Sequence, residues 1–427
     1  MPTAPVALDS PMAIGHTQRK DLRIGGRVDF KRTNRWPKSP MRPAEIMGLI
    51  AAFQPAIGIH RLAAAQMAYR HRASELGGLR SVRIQERQPL IEAFALYDTK
   101  TFGGRRKLKA VPGDLALLAN VANLAHVVLP TLPDVNRRHH LSALLNPDGQ
   151  FRPTLLEWKT AAQLGRLNRA ELAWMNPGAA GPEFVARRQG VEWEVECKHL
   201  TDMVTQVVGE READDLGESI VQAVVAKHLQ GSLTVHLPPT VPRNWTPDLA
   251  QALQAMLPRL TAGPVTVDLG QGLVLSGNLA LADGKRVDHT VWVNDLLIRK
   301  TESSRMYGRA NKQGNDAVDP VDLNMELPEK PLDVLREDLW EKKFKKAALQ
   351  CSGNRGALLS FEWHGFDDAR LFQSHPIFQG LIAQTFNEFR HIAAIGLRCG
   401  TPPSRVDGHV DFFSFRLFGK KRRNRVS

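Results

Sequence analysis

The spacing of apolar residues changes period several times along the chain. At 43–53 and 60–77 it is helical, with Leu62, Met67, Ala68 and Leu76 falling roughly on one face of the second stretch. A short turn containing Pro55 and Gly58 joins the two, a spacing that suits a helical pair better than a helix-turn-helix reader. Residues 89–97 read as a strand, and 114–129 and 137–145 as helices. The stretch 115–133 carries no charge, but Asn120, Asn123, His126, Pro130 and Pro133 interrupt it. A buried helix is expected there, not a membrane span.

The dipeptides Asp148-Gly149 and Arg152-Pro153 mark a boundary. Thr154 followed by Glu157 has the spacing of a capping box and predicts a helix over 155–174, ended by Asn176-Pro177-Gly178. Alternation of period two then predicts strands at 183–188 and 191–198, a helix at 213–229 and a strand at 232–237. A helix at 247–257 and strands at 264–269, 272–282 and 286–293 follow, with Asp283-Gly284 as a hairpin turn. Residues 301–330 are polar and read as a surface loop. A helix at 331–350, a strand at 356–363, a helix at 376–390 and a strand at 391–398 complete the pattern. The strings SIVQAVVAKHLQGSLTVHL and KKFKKAALQCSGNRGALLSFEW are alike in running from helix through glycine into strand.

The 427 residues allow two or three domains. The expected class is α/β, α+β overall. A basic arm of disordered composition covers 1–42, a mainly helical basic domain 43–148, and an α/β core 149–300. The polar loop covers 301–330, a C-terminal α/β segment packing on the core 331–415, and a basic tail 416–427. At 43% hydrophobic and 24% charged residues, wholesale disorder is excluded. Three cysteines, none within CxxC spacing, exclude a disulfide framework and fit a reducing, cytoplasmic compartment. The N-terminus shows no sustained apolar run of the signal-peptide kind.

Charge adds a partner. The net charge of +13 divides into +11 for residues 1–150, −2 for 151–300 and +4 for 301–427. Six basic and no acidic residues fall in the last twelve, including Lys420, Lys421, Arg422, Arg423 and Arg425. An excess concentrated at the ends points to a polyanion, nucleic acid first among them and DNA before RNA.

Candidate chemistry lies at Pro182-Glu183 and in the strand Val191-Glu192-Trp193-Glu194-Val195-Glu196-Cys197-Lys198. Alternation sends Val191, Trp193, Val195 and Cys197 to one face and the three glutamates with Lys198 to the other. Glu183 on the neighbouring strand would complete two acids and an amine. Carboxylates of this kind hold Mg²⁺, and a lysine beside them can orient or deprotonate water. The pattern [Asp/Glu]-x-Lys also occurs at Asp98, Glu157, Asp283 and Glu341, but only at Glu196 does it close an apolar strand preceded by a helix and a separate acid. No phosphate-binding glycine loop, HExxH or GxSxG is present. His139 and His140, beside Arg137 and Arg138, read as a solvated face.

These residues resemble the signature of the PD-(D/E)xK nuclease superfamily, with the restriction-endonuclease-like fold, over 154–238. The resemblance implies Mg²⁺ or Mn²⁺ held by Glu183, Glu196 and the carbonyl of Cys197. Glu157 on the first helix would be an additional acid, Lys198 the water-positioning amine, and Gln222 an accessory residue on the following helix. Glu183 departs from the usual Asp. The expected activity is hydrolysis of nucleic-acid phosphodiesters, with a homodimer left open. The alternative is a nucleic-acid-binding or interaction protein that keeps the fold without turnover.

Overall fold

The computed structural model describes residues 22–24, 28–30, 43–75, 88–101, 115–146, 150–167, 169–200, 226–237, 260–268, 272–281, 291–293, 304–309, 321–326, 331–364, 375–400 and 415–419, with isolated positions between 216 and 224. Strands β1 (Leu22–Ile24) and β2 (Val28–Phe30) form a small antiparallel hairpin. A helical layer follows: α1 (Pro43–Ile57), α2 (Ile59–Glu75), α3 (Pro89–Thr101), α4 (Ala116–Val128), α5 (Asp134–Leu144) and α6 (Phe151–Ala162). The strand expected at 89–97 is therefore part of a helix. Leu90, Ile91, Phe94, Tyr97 and Thr101 are all buried, and their spacing of one, three, three and four is a helical stripe. No described helix is long and apolar enough to cross a membrane.

The start of α6 differs from the expected capping box. The helix begins at Phe151, with Gln150 as its cap residue, and Thr154 N–H already donates to Gln150 O at 3.1 Å. Thr154 is thus inside the first turn, so Glu157 has no capping role. The helix widens into a π-turn at Gln163–Leu167 and stops there. Trp174, expected near its end, belongs instead to strand β3 (Glu171–Trp174).

Strands β4 (Phe184–Arg188) and β5 (Val191–Leu200) pair antiparallel, and β3 pairs with β4. A second six-stranded sheet is built from β6 (Leu229–His236), β7 (Gly263–Asp268), β8 (Val274–Leu281), β9 (Val291–Val293), β10 (Ser304–Arg309) and β11 (Val321–Glu326), in the order β7-β8-β6-β11-β10-β9. The stretch 301–330, expected as a loop, supplies two of its strands. Val321, Leu323 and Met325 of β11 do alternate with Asp322, Asn324 and Glu326, but the polar, charged stretch ahead of them masks that short period. The helix expected at 247–257 and the turn at Asp283-Gly284 lie outside the described residues; of the helix expected at 213–229, the described positions 216, 217, 219, 220, 223, 224 and 226 are helical.

The chain then returns to the first sheet. Helix α7 (Leu332–Leu339), a π-turn at Trp340–Phe344 and helix α8 (Lys345–Gln350) lead to β12 (Gly356–His364). Helix α9 (Pro376–Glu388) leads to β13 (Ile392–Gly400), and β14 (Phe415–Gly419) ends the order β14-β13-β12-β5-β4-β3. Both β5–β12 and β12–β13 are parallel. The segment 331–415 is therefore the centre of the sheet, not a layer packed on a finished core. The strand at 232–237, expected within the same α/β core as β5, belongs to the other sheet. Phe415–Gly419 is a strand where a tail was expected, and Lys420, Lys421, Arg422, Arg423 and Arg425 lie outside the described residues.

Two cores sandwich the first sheet. One joins α1 to α6 with Trp193, Val195, Cys197, Leu358 and Ala394. The other joins α7, α8 and α9 with Leu200, Leu359, Phe361, Trp363, Ile395 and Leu397. Alternating residues of β5 and β12 divide between the two, as a sheet covered on both faces requires.

Candidate active site

The acidic face of β5 is covered. Glu194 and Glu196 are 2% and 0% exposed. They share a face with Leu200, against which α7 and α8 pack. Burying carboxylates is costly without partners, so the partners define what this face does. Glu194 Oε2 accepts a hydrogen bond from Ser352 N–H at 2.6 Å, tying β5 to the end of α8. Glu192, at the strand's open end, pairs with Arg187 and with Arg355. These two acids have structural partners.

Glu196 is different. Its Oε1 accepts from Lys198 Nζ, while its Oε2 is buried without a hydrogen-bond partner among the described residues. Sheet geometry explains why the site opens here. The β4–β5 ladder runs from Arg188↔Val191 to Phe184↔Val195, and Glu183 N–H adds one more bond to Val195 O at 3.0 Å. Beyond that point β5 continues alone on this side, carrying Glu196 and Lys198 past the end of β4. Glu183 is fixed at the fork, since its own carbonyl also accepts from Met175 N–H at 3.1 Å. The chain reaches it through Asn176-Pro177-Gly178-Ala179, where Ala179 N–H bonds Asn176 O and Gly178 takes φ +79°, the pattern of a type II turn.

Glu157 projects from α6 towards the same place. Burial, with the Glu183 and Glu196 charges adding, drives its carboxyl well above the usual range, and Lys198 opposes them. Burial also raises Glu183 against the pull of Lys198. Glu196 is pushed to about 7 by burial, with Lys198 opposing and Glu183 adding. Three acids and one amine thus act on one another, and the negative charge exceeds the positive. Among the described residues no group of three His, Cys, Asp or Glu side chains is placed to hold a metal ion by itself.

A cleft of about 280 Å³ opens beside these groups, lined by Asn136, His140, Glu157, Glu183 and Gln350 among others. His140 is buried, contrary to the solvated face expected for it. Trp158 Nε1–H donates to its Nδ1 at 2.9 Å. Indole only donates, so Nδ1 is unprotonated and the proton sits on Nε2, 3.7 Å from Glu157 Oε2. Burial, with His139 adding, holds His140 down at about 4. The ring is therefore a neutral N–H facing Glu157, boxed by Trp158 and Trp174.

Cys197 is buried with its side chain in the α6 core, as expected. Gln222 lies outside the described residues. The helix that leads into the strand beside β5 is α8, and its last residue, Gln350, lines the cleft with Oε1 buried and, among the described residues, without a hydrogen-bond partner. Sequence reasoning passed over Gln350. Its only signal was the KKAALQ string ahead of a strand, which the nearer segment around Gln222 duplicated. Comparison with protein-family models, curated proteins and solved structures finds no match in any of the three.

Proposed function

We propose that this chain is a metal-dependent nuclease, with a restriction-endonuclease-like core formed by α6, β3, β4, β5, α7–α8 and β12. The observation that carries the reading is the fork beyond the β4–β5 ladder, where Glu157, Glu183, Glu196 and Lys198 act on one another with Glu196 Oε2 left unbonded. A buried oxygen without a donor and a surplus of carboxylate fit a divalent cation, because hard oxygen ligands suit Mg²⁺ or Mn²⁺. Glu183, Glu196 and the Cys197 carbonyl would hold it, with Glu157 as a further acid. Bound there, the ion supplies neutralisation of a phosphate oxygen and acidification of water. Lys198, already bonded to Glu196, positions the attacking water. The neutral Nε2–H of His140 faces Glu157 and favours its ionised form, and the Gln350 amide is placed to orient a polar group in the cleft. Nucleic acid, DNA first, is the substrate that the +13 net charge suits.

The raised carboxyls give a stability test that does not depend on turnover. A carboxyl raised on folding binds its proton more tightly in the folded chain than in the unfolded one. Its contribution to stability is therefore lost as pH climbs from about 4.5 to about 7, and stays lost above that. Glu196→Gln is expected to raise the melting temperature of metal-free protein at pH 8 and to leave it nearly unchanged at pH 5. Mg²⁺ or Mn²⁺ should raise the wild-type melting temperature at pH 8 and have less effect on the variant. Equal melting shifts at both pH values would show that Glu196 is not held against its charge.

Glu157→Gln separates an additional metal-site acid from a packing residue. It is expected to keep the fold, since no cap depends on it, and to lose most metal-dependent cleavage. Normal cleavage at saturating Mg²⁺ would remove Glu157 from the site.

A further inference from the structure

The segment Lys342-Lys343-Phe344-Lys345-Lys346 carries four lysines in five residues. Two of them are neutralised along the helix. Lys342 Nζ is 2.6 Å from Asp338 Oδ1, and Lys345 Nζ is 2.9 Å from Glu341 Oε2, both with the i,i+4 spacing. Lys343 and Lys346 have no carboxylate within ion-pair distance among the described residues. Lys346 and Gln350, four apart on α8, share one side of the helix, and Lys343, in the π-turn just before it, is close enough to Lys346 for their charges to interact. At one end of this line Gln350 opens into the cleft with Glu157 and Glu183. At the other, Lys343 is half-buried and meets the like charges of Lys198 and Lys346. Helix α8 packs on β5, the strand that carries Lys198.

Three amines are thus gathered beside three acids, without a carboxylate of their own beyond the Glu196 contact to Lys198. Half-burying Lys343 among like charges is unfavourable for the free protein and becomes favourable when an anion sits among them. A polyanion running past the acids would otherwise be repelled by them. Lysines are flexible point charges suited to backbone phosphates, which fix a strand's position without reading its bases.

We propose that Lys343 and Lys346 form a phosphate-binding ridge that seats the nucleic-acid backbone next to the phosphodiester presented to Glu183, Glu196 and Lys198. The proposal rests on the nuclease reading of that site. The ridge operates without a metal ion, so its test does too.

The experiment is fluorescence anisotropy of a labelled duplex of about 30 base pairs in EDTA, titrated with full-length protein over a range of salt concentrations. Each lost phosphate contact should flatten the slope of log K against log [salt] by about 0.9. K346Q is expected to flatten it by that amount and K343Q/K346Q by about twice as much, while K342Q/K345Q leaves it at the wild-type value. Glutamine keeps the aliphatic stem that packs at Lys343. Lys346 is exposed, so K346Q tests the ridge even where the double variant folds poorly. A K346Q slope equal to wild type overturns the ridge, as does a wild-type protein that shows no salt-dependent binding. Cleavage is measured separately with Mg²⁺. Wild-type cleavage with unchanged variant slopes removes the ridge and leaves the nuclease. Flattened slopes without any wild-type cleavage remove the nuclease and leave a nucleic-acid-binding surface.

Discussion

Glu196→Ala is expected to reduce Mg²⁺-dependent cleavage of nucleic acid by about a thousandfold or more. A metal ion's stabilisation of transition-state charge is worth several kcal/mol, and each 1.4 kcal/mol is roughly a factor of ten. Lys198→Ala removes only the group that orients and deprotonates water, for which losses of about 10²–10⁴ are expected. The two changes act on one hydrogen-bonded unit, because Lys198 Nζ donates to Glu196 Oε1. The double variant should therefore be little worse than Glu196→Ala alone. Circular dichroism melts separate lost chemistry from lost fold. EDTA should abolish wild-type cleavage, and a double variant that cuts at the wild-type rate would end the nuclease assignment. Retained salt-dependent binding in that variant would direct attention to a non-enzymatic role.

What the sequence discloses about this site depends on distance along the chain. Strand β5 is legible because its period-two pattern is local, and its acids and Lys198 fall on one face by geometry alone. The fork at Glu183 follows from the short hairpin next to it. The opposite wall was not legible. Residues 201–330 intervene between β5 and α7, and within them the string ending in SLTVHL repeats the helix–glycine–strand order of the true crossover, KKFKKAALQ to GALLSFEW. Proximity favours the first string. Pairing selects the second, since every residue of β12 from Ala357 to Trp363 is buried, as a strand covered on both faces requires, and all of them but Ser360 and Glu362 are apolar. His140 misled for a related reason: Arg137, Arg138 and His139 precede it in sequence, but Asn136 and His140, four apart, turn inward on one face, and there Trp158 receives the His140 ring. Thr154 and Glu157 matched a capping box by spacing, yet Phe151 is apolar enough to pull the helix start four residues earlier into the core.

A second buried polar group in the same sheet gives the largest expected effect on stability. Lys159 on α6 reaches Glu362 on β12, with Nζ 2.6 Å from Oε1, and the two are 7% and 0% exposed at their side chains. Arg398 on β13, paired in register with Glu362, is also buried, and its guanidinium bonds the Gln163 side chain in the π-turn after α6. Burial lowers the pKa of both Lys159 and Arg398, and Glu362 raises each in return. One carboxylate thus holds two buried cations. Glu362→Leu takes away the carboxylate that both cations face, and is expected to cost about 3–5 kcal/mol, the range for breaking a buried ion pair from one side. Lys159→Met should cost less, because Arg398 still faces Glu362. Lys159→Met combined with Glu362→Leu should recover part of the single Glu362→Leu loss, since it removes one stranded charge and substitutes apolar contacts. Urea denaturation of the four proteins closes this cycle. A Glu362→Leu loss no greater than that of Lys159→Met would show that Arg398 draws its compensation elsewhere, and that the carboxylate is not the hinge on which α6, β12 and β13 are joined.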